Sequence, residues 1–371
     1  MERRIYADNA ATTRLSFEAL VEMNRTFDLY GNPSSSHAEG REAKKKLEEY
    51  RARLAVCLDC EPNEIIFTSG ATEGNNIIRR QSTYTSSEIE HPSMANEENA
   101  PLFVDSNGII SMDEIPMMAT FPKNIISVMM ANNEIGTIQP IQNIAIYCLS
   151  KRMLFHTDAT AAVGHIPVSF RKTGADFLTC SAHKFHGPRG IGMLLMKRNA
   201  TTLYPLMYGG KQEHDLRPGT ENLPAIAGMT VALEECVRNM DKNMEKTTRM
   251  RDRLIDGLLE IKGTVLNGDA KQRLPGNVNV SFDGIEGESL LTLLDANGIA
   301  ASAGSACHTG SKEPSHVLLA IGRTREQANA ALRLSIDETN TDEEIDIIIR
   351  TVRESVAYLR KFSPKWDEST L

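Results

Sequence analysis

At 371 residues and 41% hydrophobic content, the chain has enough apolar material for two domains, or for one large domain with an appendage. Lys plus Arg number 41 against 49 Asp plus Glu, a net charge of −8, and no basic block could neutralise a run of phosphates, which argues against nucleic acid as a direct partner. The start, MERRIYADNAATT, lacks the apolar core of a signal peptide, and no stretch approaches the ~18 continuous apolar residues of a membrane span, so a cytoplasmic protein is expected.

Between positions 39 and 58, Ala43, Leu47, Tyr50, Leu54 and Leu58 recur at helical spacing, and EIIFTSG (64 to 70) reads as a buried strand entering a turn. The alternation continues with a strand at 125–132, a helix at 141–152, and strands at 153–159, 176–182 and 191–197. Repeated strand and helix units of this kind predict an α/β fold with a mainly parallel sheet covered by helices. After a helical stretch at 223–259 the pattern changes to a strand at 276–282, a helix at 288–298 and short strands near GIAAS and ALRLSI. These predict a second, smaller α+β domain. The last helix opens on Thr341 and Glu344 as a capping box and places Ile345, Ile348, Ile349, Val352, Val356 and Leu359 on one face.

Six scattered cysteines (57, 60, 148, 180, 236 and 307) do not form a disulfide framework. CLDC (57 to 60) has redox-like spacing, but no second pair follows that would complete four-coordinate zinc, and it continues the apolar face of a helix. No resident metal is expected.

Ligands of open α/β sheets bind beyond the carboxyl ends of the strands, and several such ends carry polar groups. TSGATEGNN (68 to 76) follows a strand and opens a helix, so its backbone N–H groups and the Thr72 hydroxyl can hold a phosphate. HTDAT (156 to 160) leaves Asp158 at the end of an apolar strand, where a carboxylate needs a partner such as a protonated ring nitrogen. TCSAHKFHGPRG (179 to 190) sets Ser181, His183 and Lys184 after another strand; a lone Lys is usually a solvated charge, whereas one in a cleft suits a Schiff base. Together the three segments offer a phosphate cradle, an acid for a pyridinium nitrogen and an amine for an aldehyde, the three handles of pyridoxal 5′-phosphate. In SAGSACHTGSKEP (302 to 314), Cys307 stands in a glycine-flanked loop that can expose and carry a thiolate.

The sequence resembles the cysteine desulfurases of the NifS and IscS type, in the class V aminotransferase group of fold type I. The resemblance rests on YADNAATT (6 to 13), YGNPSSSH (30 to 37), EIIFTSGATEGNN (64 to 76), EHPS (90 to 93), ANNEIGTIQP (131 to 140), FHTDAT (155 to 160), SAHKFHGPRGIG (181 to 192), RPGTEN (217 to 222), GNVNVSF (276 to 282), GSACHTGSKEPSHVL (304 to 318) and LRLS (332 to 335). These segments run in order over essentially the whole chain. The resemblance implies that Lys184 binds the cofactor's aldehyde and later moves the substrate Cα proton, and that Asp158 pairs with the pyridine nitrogen. His91 would stack on the ring and serve as acid or base toward the substrate thiol. Ala71, Thr72, Asn133, Ser181 and His183 would contact the cofactor, mainly at its phosphate, joined by Thr220 from the second subunit of a homodimer. Asn133 and Arg333 would bind the substrate carboxylate, a bidentate grip in the case of Arg333.

Cys307 would take sulfur from L-cysteine as a persulfide and release L-alanine. The sulfur would go to an iron–sulfur scaffold or a thiolation enzyme, where Cys307 could serve as a transient cluster ligand. The implied domains are a large one at 13–245 and a small one formed by 1–12 and 246–371. Alternatives on the same scaffold are a selenocysteine lyase, a transaminase, or a non-catalytic paralogue. The last is raised by two departures from the family. Ala161 replaces the usual Gln three residues after the Asp, losing a hydrogen-bond donor to the cofactor worth on the order of 1.5–3 kcal/mol unless water or a neighbour substitutes. The segments from Asn76 to His91 and from His91 to Asn133 are short, with little room before His91 for a helix followed by a strand, so a trimmed wall is expected around His91.

Overall fold

The computed structural model describes residues 4–81, 84–95, 101–112, 115, 125–198, 200, 203–303, 313–364 and 366. Cys307 lies outside the described residues. The strands in chain order are β1 (Ile5–Tyr6), β2 (Ile65–Thr68), β3 (Tyr84–Ser86), β4 (Ile125–Ser127), β5 (Leu154–Asp158), β6 (Phe177–Ser181), β7 (Gly192–Met196), β8 (Thr264–Leu266), β9 (Asn277–Phe282), β10 (Ile299–Ala300) and β11 (Ala331–Ser335).

Six of these strands form one sheet in the order β2-β7-β6-β5-β4-β3. The run from β3 to β6 is parallel, whereas β7 is antiparallel to both β2 and β6. A buried, mainly parallel sheet needs apolar residues on both faces, and β2, β4 and β6 are buried at every position. The helix Ala38–Leu58 supplies part of one covering layer, with Ala43, Leu47, Tyr50, Leu54 and Leu58 all in the core. It stops at Asp59, which takes the left-handed conformation, and its cap N–H returns to the last turn.

A three-stranded antiparallel sheet, β11-β9-β8, carries the second apolar cluster. Its strands pack against Met250, Leu254 and Leu258 of the helix Met240–Leu259 and against Ile345, Ile348, Val352 and Val356 of the helix Asp342–Arg360. That last helix opens on the Thr341/Glu344 capping box expected from the sequence. Ile5 and Ala7 belong to the same cluster, because β1 pairs with β10 and Asp8 bridges to Ser335 at the end of β11. The chain's first residues are thereby held among its last ones.

Two expectations change in detail. The helical stretch 223–259 is two helices, Leu223–Arg238 and Met240–Leu259, which meet at Asn239, where φ −103° and ψ 8° leave the helical region. The strand expected at 125–132 ends at Ser127, but the chain beyond it stays alongside β5, where the Val128 and Met130 N–H groups donate to the carbonyls of His156 and Asp158 at 3.1 and 2.8 Å. In the short segment between Asn76 and His91, the described residues hold only the end of the helix Ala71–Arg79 and the three-residue strand β3, a shortened helix and strand in line with the little room expected there.

Candidate active site

The carboxyl ends of β2, β5 and β6 open on one cavity of about 530 Å³. It is lined by Ala71, Thr72, His91, Asn133, Asp158, Ser181, His183, Lys184 and Arg333, so nine of the positions singled out from the sequence meet in one place. Thr220 does not; it is exposed, and Asn32 Nδ2 donates to its hydroxyl at 3.5 Å.

Each lining side chain is positioned by the strand or turn before it. Asp158 closes β5 and is nearly buried, and its carboxylate accepts from Asn75 Nδ2 at 2.7 Å and from the Thr160 backbone N–H at 2.9 Å. Lys184 ends the 3₁₀ turn Ala182–Lys184 that follows β6, and its Nζ donates to the carbonyls of Ala10 and Ala11, the latter at 2.9 Å. The N-terminal segment is clasped onto this turn: Thr13 N and Oγ1 both donate to the His183 carbonyl at 2.9 Å. From the other side His165, its pKa depressed by burial, hydrogen-bonds the Lys184 carbonyl through Nε2 at 2.8 Å.

The helix Ala71–Arg79 presents its first turn to the cavity beside Ser181. Gly70 precedes it with φ +155°, and a β-carbon there would sit 3.3 Å from Ser181 Oγ, so the turn needs glycine to bring free helical N–H groups to that spot. Such N–H groups favour an anion. His183 adds a ring whose pKa burial and the neighbouring Lys184 and Arg189 depress to about 4, so it meets an anion as a neutral hydrogen-bonding group. Arg333 is fully buried in β11; its Nη2 pairs with Asp8 Oδ1 at 3.0 Å.

His91 follows β3. Its Nδ1 lies 2.7 Å from Ser93 Oγ and 3.2 Å from the Ser93 backbone nitrogen, and burial holds its pKa below the ordinary histidine value against the pull of Asp158. Glu90 beside it is wholly buried: its Oε1 accepts from Ser87 Oγ and the Met129 N–H, and Oε2 has no hydrogen-bond partner among the described residues. Burial pushes this carboxyl up to about 8. Cys57 and Cys60 are raised by burial to about 11 and about 12 as they pack against the core; Cys57 lies on the helix as expected, whereas Cys60 lies beyond its Asp59 cap.

Several lining residues carried no role in the sequence reading: Asn9 to Thr12, Thr160, His165, Asn277 and Ser335. The N-terminal motif YADNAATT was visible as a motif, but nothing in its spacing says that its carbonyls face a lysine some 170 positions on. Asn75 stood inside TSGATEGNN with no role of its own. Ala161 does line the cavity, and next to it Thr160 Oγ1 is buried without a hydrogen-bond partner among the described residues.

The Aminotransferase class-V family model matches residues 5–348. The cysteine desulfurase IscS of Clostridium botulinum is 40% identical, covering 99% of this chain and 98% of that protein. That of Methanosarcina thermophila is 41% identical, covering 98% and 94%. A solved NifS-like protein superposes with a TM-score of 0.88 at 34% identity, covering 96% of this chain and all of that one. The chain belongs to the class V aminotransferases, a pyridoxal-phosphate-dependent family of fold type I, and within it to the cysteine desulfurases of the NifS/IscS type.

The cavity fits that cofactor on its own chemistry. It has an amine, a buried carboxylate whose two bonds to N–H donors orient it, and free helical N–H groups beside Ser181. Two buried polar atoms on its lining residues, Thr160 Oγ1 and Arg333 Nε, have no hydrogen-bond partner among the described residues. Unpaired buried polar atoms are expensive unless a ligand or water completes them.

Proposed function

We propose that the protein acts as a cytoplasmic homodimer that converts L-cysteine to L-alanine, taking up the sulfur as a persulfide on Cys307 and passing it to an acceptor of iron–sulfur cluster assembly or thiolation. The observation that carries the reading is the position of the two described stems of the Cys307 segment. On one side Ser302 pairs with Arg333, its N–H donating to the Arg333 carbonyl at 3.2 Å. On the other, Ser315 Oγ donates to Glu134 Oε2 at 2.6 Å, and His316 Nε2 lies 3.0 Å from the carbonyl of Glu90, the residue before His91. Both described stems are therefore tied to Arg333 or to residues adjacent to Asn133 and His91, which supports the reading.

Pyridoxal phosphate, when bound, supplies an electron-withdrawing ring that accepts the charge left as the substrate's Cα proton departs. Asp158 holds a proton at the ring nitrogen, its carboxylate oriented by Asn75 and Thr160. Ala71, Thr72, Ser181 and His183 bind the phosphate, completed by Thr220 of the partner subunit; in this chain Thr220 is exposed and away from its own cavity, as that role requires. Lys184 is the amine for the cofactor's aldehyde and the base for the Cα proton. Arg333 and Asn133 hold the substrate carboxylate. The Cys307 thiolate attacks the substrate's sulfur to form the persulfide S–S bond, the sulfur–carbon bond breaks with its electron pair left on the carbon skeleton, and protonation at Cβ with return of a proton to Cα gives alanine. The Thr160 hydroxyl, buried beside Ala161 with no partner among the described residues, would replace the donor that Ala161 lacks.

The domain division proposed is 13–245 against 1–12 with 246–371. It is supported by the separate apolar cluster that β1 and the segments after Met250 share.

The test is anaerobic incubation of the cofactor-loaded protein with L-cysteine and a reductant, with alanine and sulfide measured beside Cys307→Ala. Both products are expected from the parent and almost none from the variant. No alanine from the loaded parent would overturn the desulfurase reading, and equal output from both proteins would overturn the role of Cys307.

A further inference from the structure

Asn75 is fully buried and does not line the cavity, yet it touches the supports of two groups that do. Its Nδ2 donates to Asp158 Oδ2 at 2.7 Å and to Ser93 Oγ at 2.9 Å, while its Oδ1 accepts from Thr179 Oγ1 at 2.6 Å. The carboxylate fixes which way the amide points, because the flipped amide would set two acceptors 2.7 Å apart. Behind Thr179 the network continues to His156 Nε2 at 3.2 Å, and from His156 Nδ1 to Ser127 Oγ at 2.8 Å.

The directions of these bonds decide the state of His91. Ser93 Oγ already accepts an amide hydrogen from Asn75, so its own hydrogen is free to point at His91 Nδ1, 2.7 Å away. The Ser93 backbone N–H aims at the same nitrogen from 3.2 Å. An Nδ1 facing two donors acts as an acceptor, which puts the hydrogen of the neutral ring on Nε2.

We propose that Asn75 is a positioning residue for the desulfurase reaction, orienting the Asp158 carboxylate directly and fixing His91, through Ser93, as the neutral ring with its hydrogen on Nε2. One amide thus couples the group at the cofactor's ring nitrogen to the group over its face. His91 then meets substrate first as a hydrogen-bond donor, and it can act as a base only after the Ser93 arrangement is undone. The charged or titratable groups facing the ring are Asp158, Lys184, Glu134 and His316. Losing the Ser93 hydroxyl removes a donor that favours the neutral ring, so the variant's His91 protonates at higher pH.

This inference rests on the desulfurase reading, and two variants of the holoenzyme test it apart from that reading. Asn75→Ala should lower kcat roughly ten-fold with KM for L-cysteine little changed. It should also move the pH midpoint of the bound cofactor's visible absorbance by roughly half a unit or more, because Asp158 loses a donor. Ser93→Ala breaks only the His91 branch. It should leave the absorbance midpoint in place and move the acidic limb of the kcat/KM profile up by roughly half to one pH unit. A folded, cofactor-loaded Asn75→Ala with the parent's absorbance midpoint and kcat overturns the proposal. A Ser93→Ala whose acidic limb stays at the parent's pH also overturns it, and that arm holds should Asn75→Ala fail to fold. If the parent itself makes no alanine, the desulfurase reading fails separately, while the absorbance titration still reports on Asn75 and Asp158.

Discussion

Glu90→Gln isolates one buried carboxyl beside His91. The Glu90 carboxyl is 1% exposed, and burial raises its pKa from the ordinary 4.5 to about 8, with Asp158 adding to the rise. A carboxyl whose folded pKa lies above its unfolded one leaves the fold untouched below about pH 4.5. It destabilises the fold progressively as pH climbs from there, and fully above about 8. Between 4.5 and pH 7 lie about 2.5 units at about 1.4 kcal/mol each, so holding the carboxyl protonated while the unfolded chain ionises costs the folded state on the order of 3 kcal/mol at pH 7. Glutamine keeps an acceptor for Ser87 and Met129 and does not ionise; its amide, buried where Oε2 has no partner among the described residues, adds a cost that is the same at every pH. Relative to the parent, the variant should therefore gain roughly 3–4 kcal/mol between pH 5 and pH 8.5. Urea or thermal unfolding of both proteins at pH 5, 7 and 8.5 measures that difference. Parallel pH dependences would refute the reasoning, because they would mean that Glu90 ionises in the folded chain as readily as in the unfolded one.

Two further outcomes follow from the same structure. Glu213→Ala should cost about 3–5 kcal/mol in urea unfolding, since it strands Arg51 in a pair with both side chains at or below 7% exposure and removes the acceptor of the Phe67 N–H. An effect of the size typical of exposed pairs, about 1 kcal/mol or less, would show that water reaches this site. His183→Gln should weaken cofactor binding by no more than about ten-fold at pH 7, the worth of one neutral hydrogen bond, because the ring is already uncharged there. A loss of a hundred-fold or more in equilibrium dialysis would mean that the ring carries charge against the phosphate.

Elements whose partners lie nearby in the chain were legible in the sequence. The helix Ala38–Leu58 could be read because its five apolar positions fall on one face, and the last helix because Thr341 and Glu344 satisfy each other across a single turn. Asp158, Ser181 and Lys184 could be placed because each ends or follows an apolar strand, where a polar group needs a reason to be. Less legible were features that depend on compensation between segments. The segment before His91 has little room for a helix and a strand, and the three-residue strand it does hold suffices because a parallel neighbour supplies its hydrogen bonds.

By itself, the sequence determined the α/β alternation, the capped helices, the strand-end positions of the chemistry and, through ordered motifs, the family. Only the tertiary structure decided that the carbonyls of Ala10 and Ala11 receive Lys184, that Asp8 pairs with Arg333, and that Asn75 serves both Asp158 and Ser93. The reason is physical. Periodicity reports which face of an element is apolar, a local property of the backbone, whereas a hydrogen bond between residues 83 or 325 positions apart depends on strand order, register and side-chain direction, which are set when the sheets assemble.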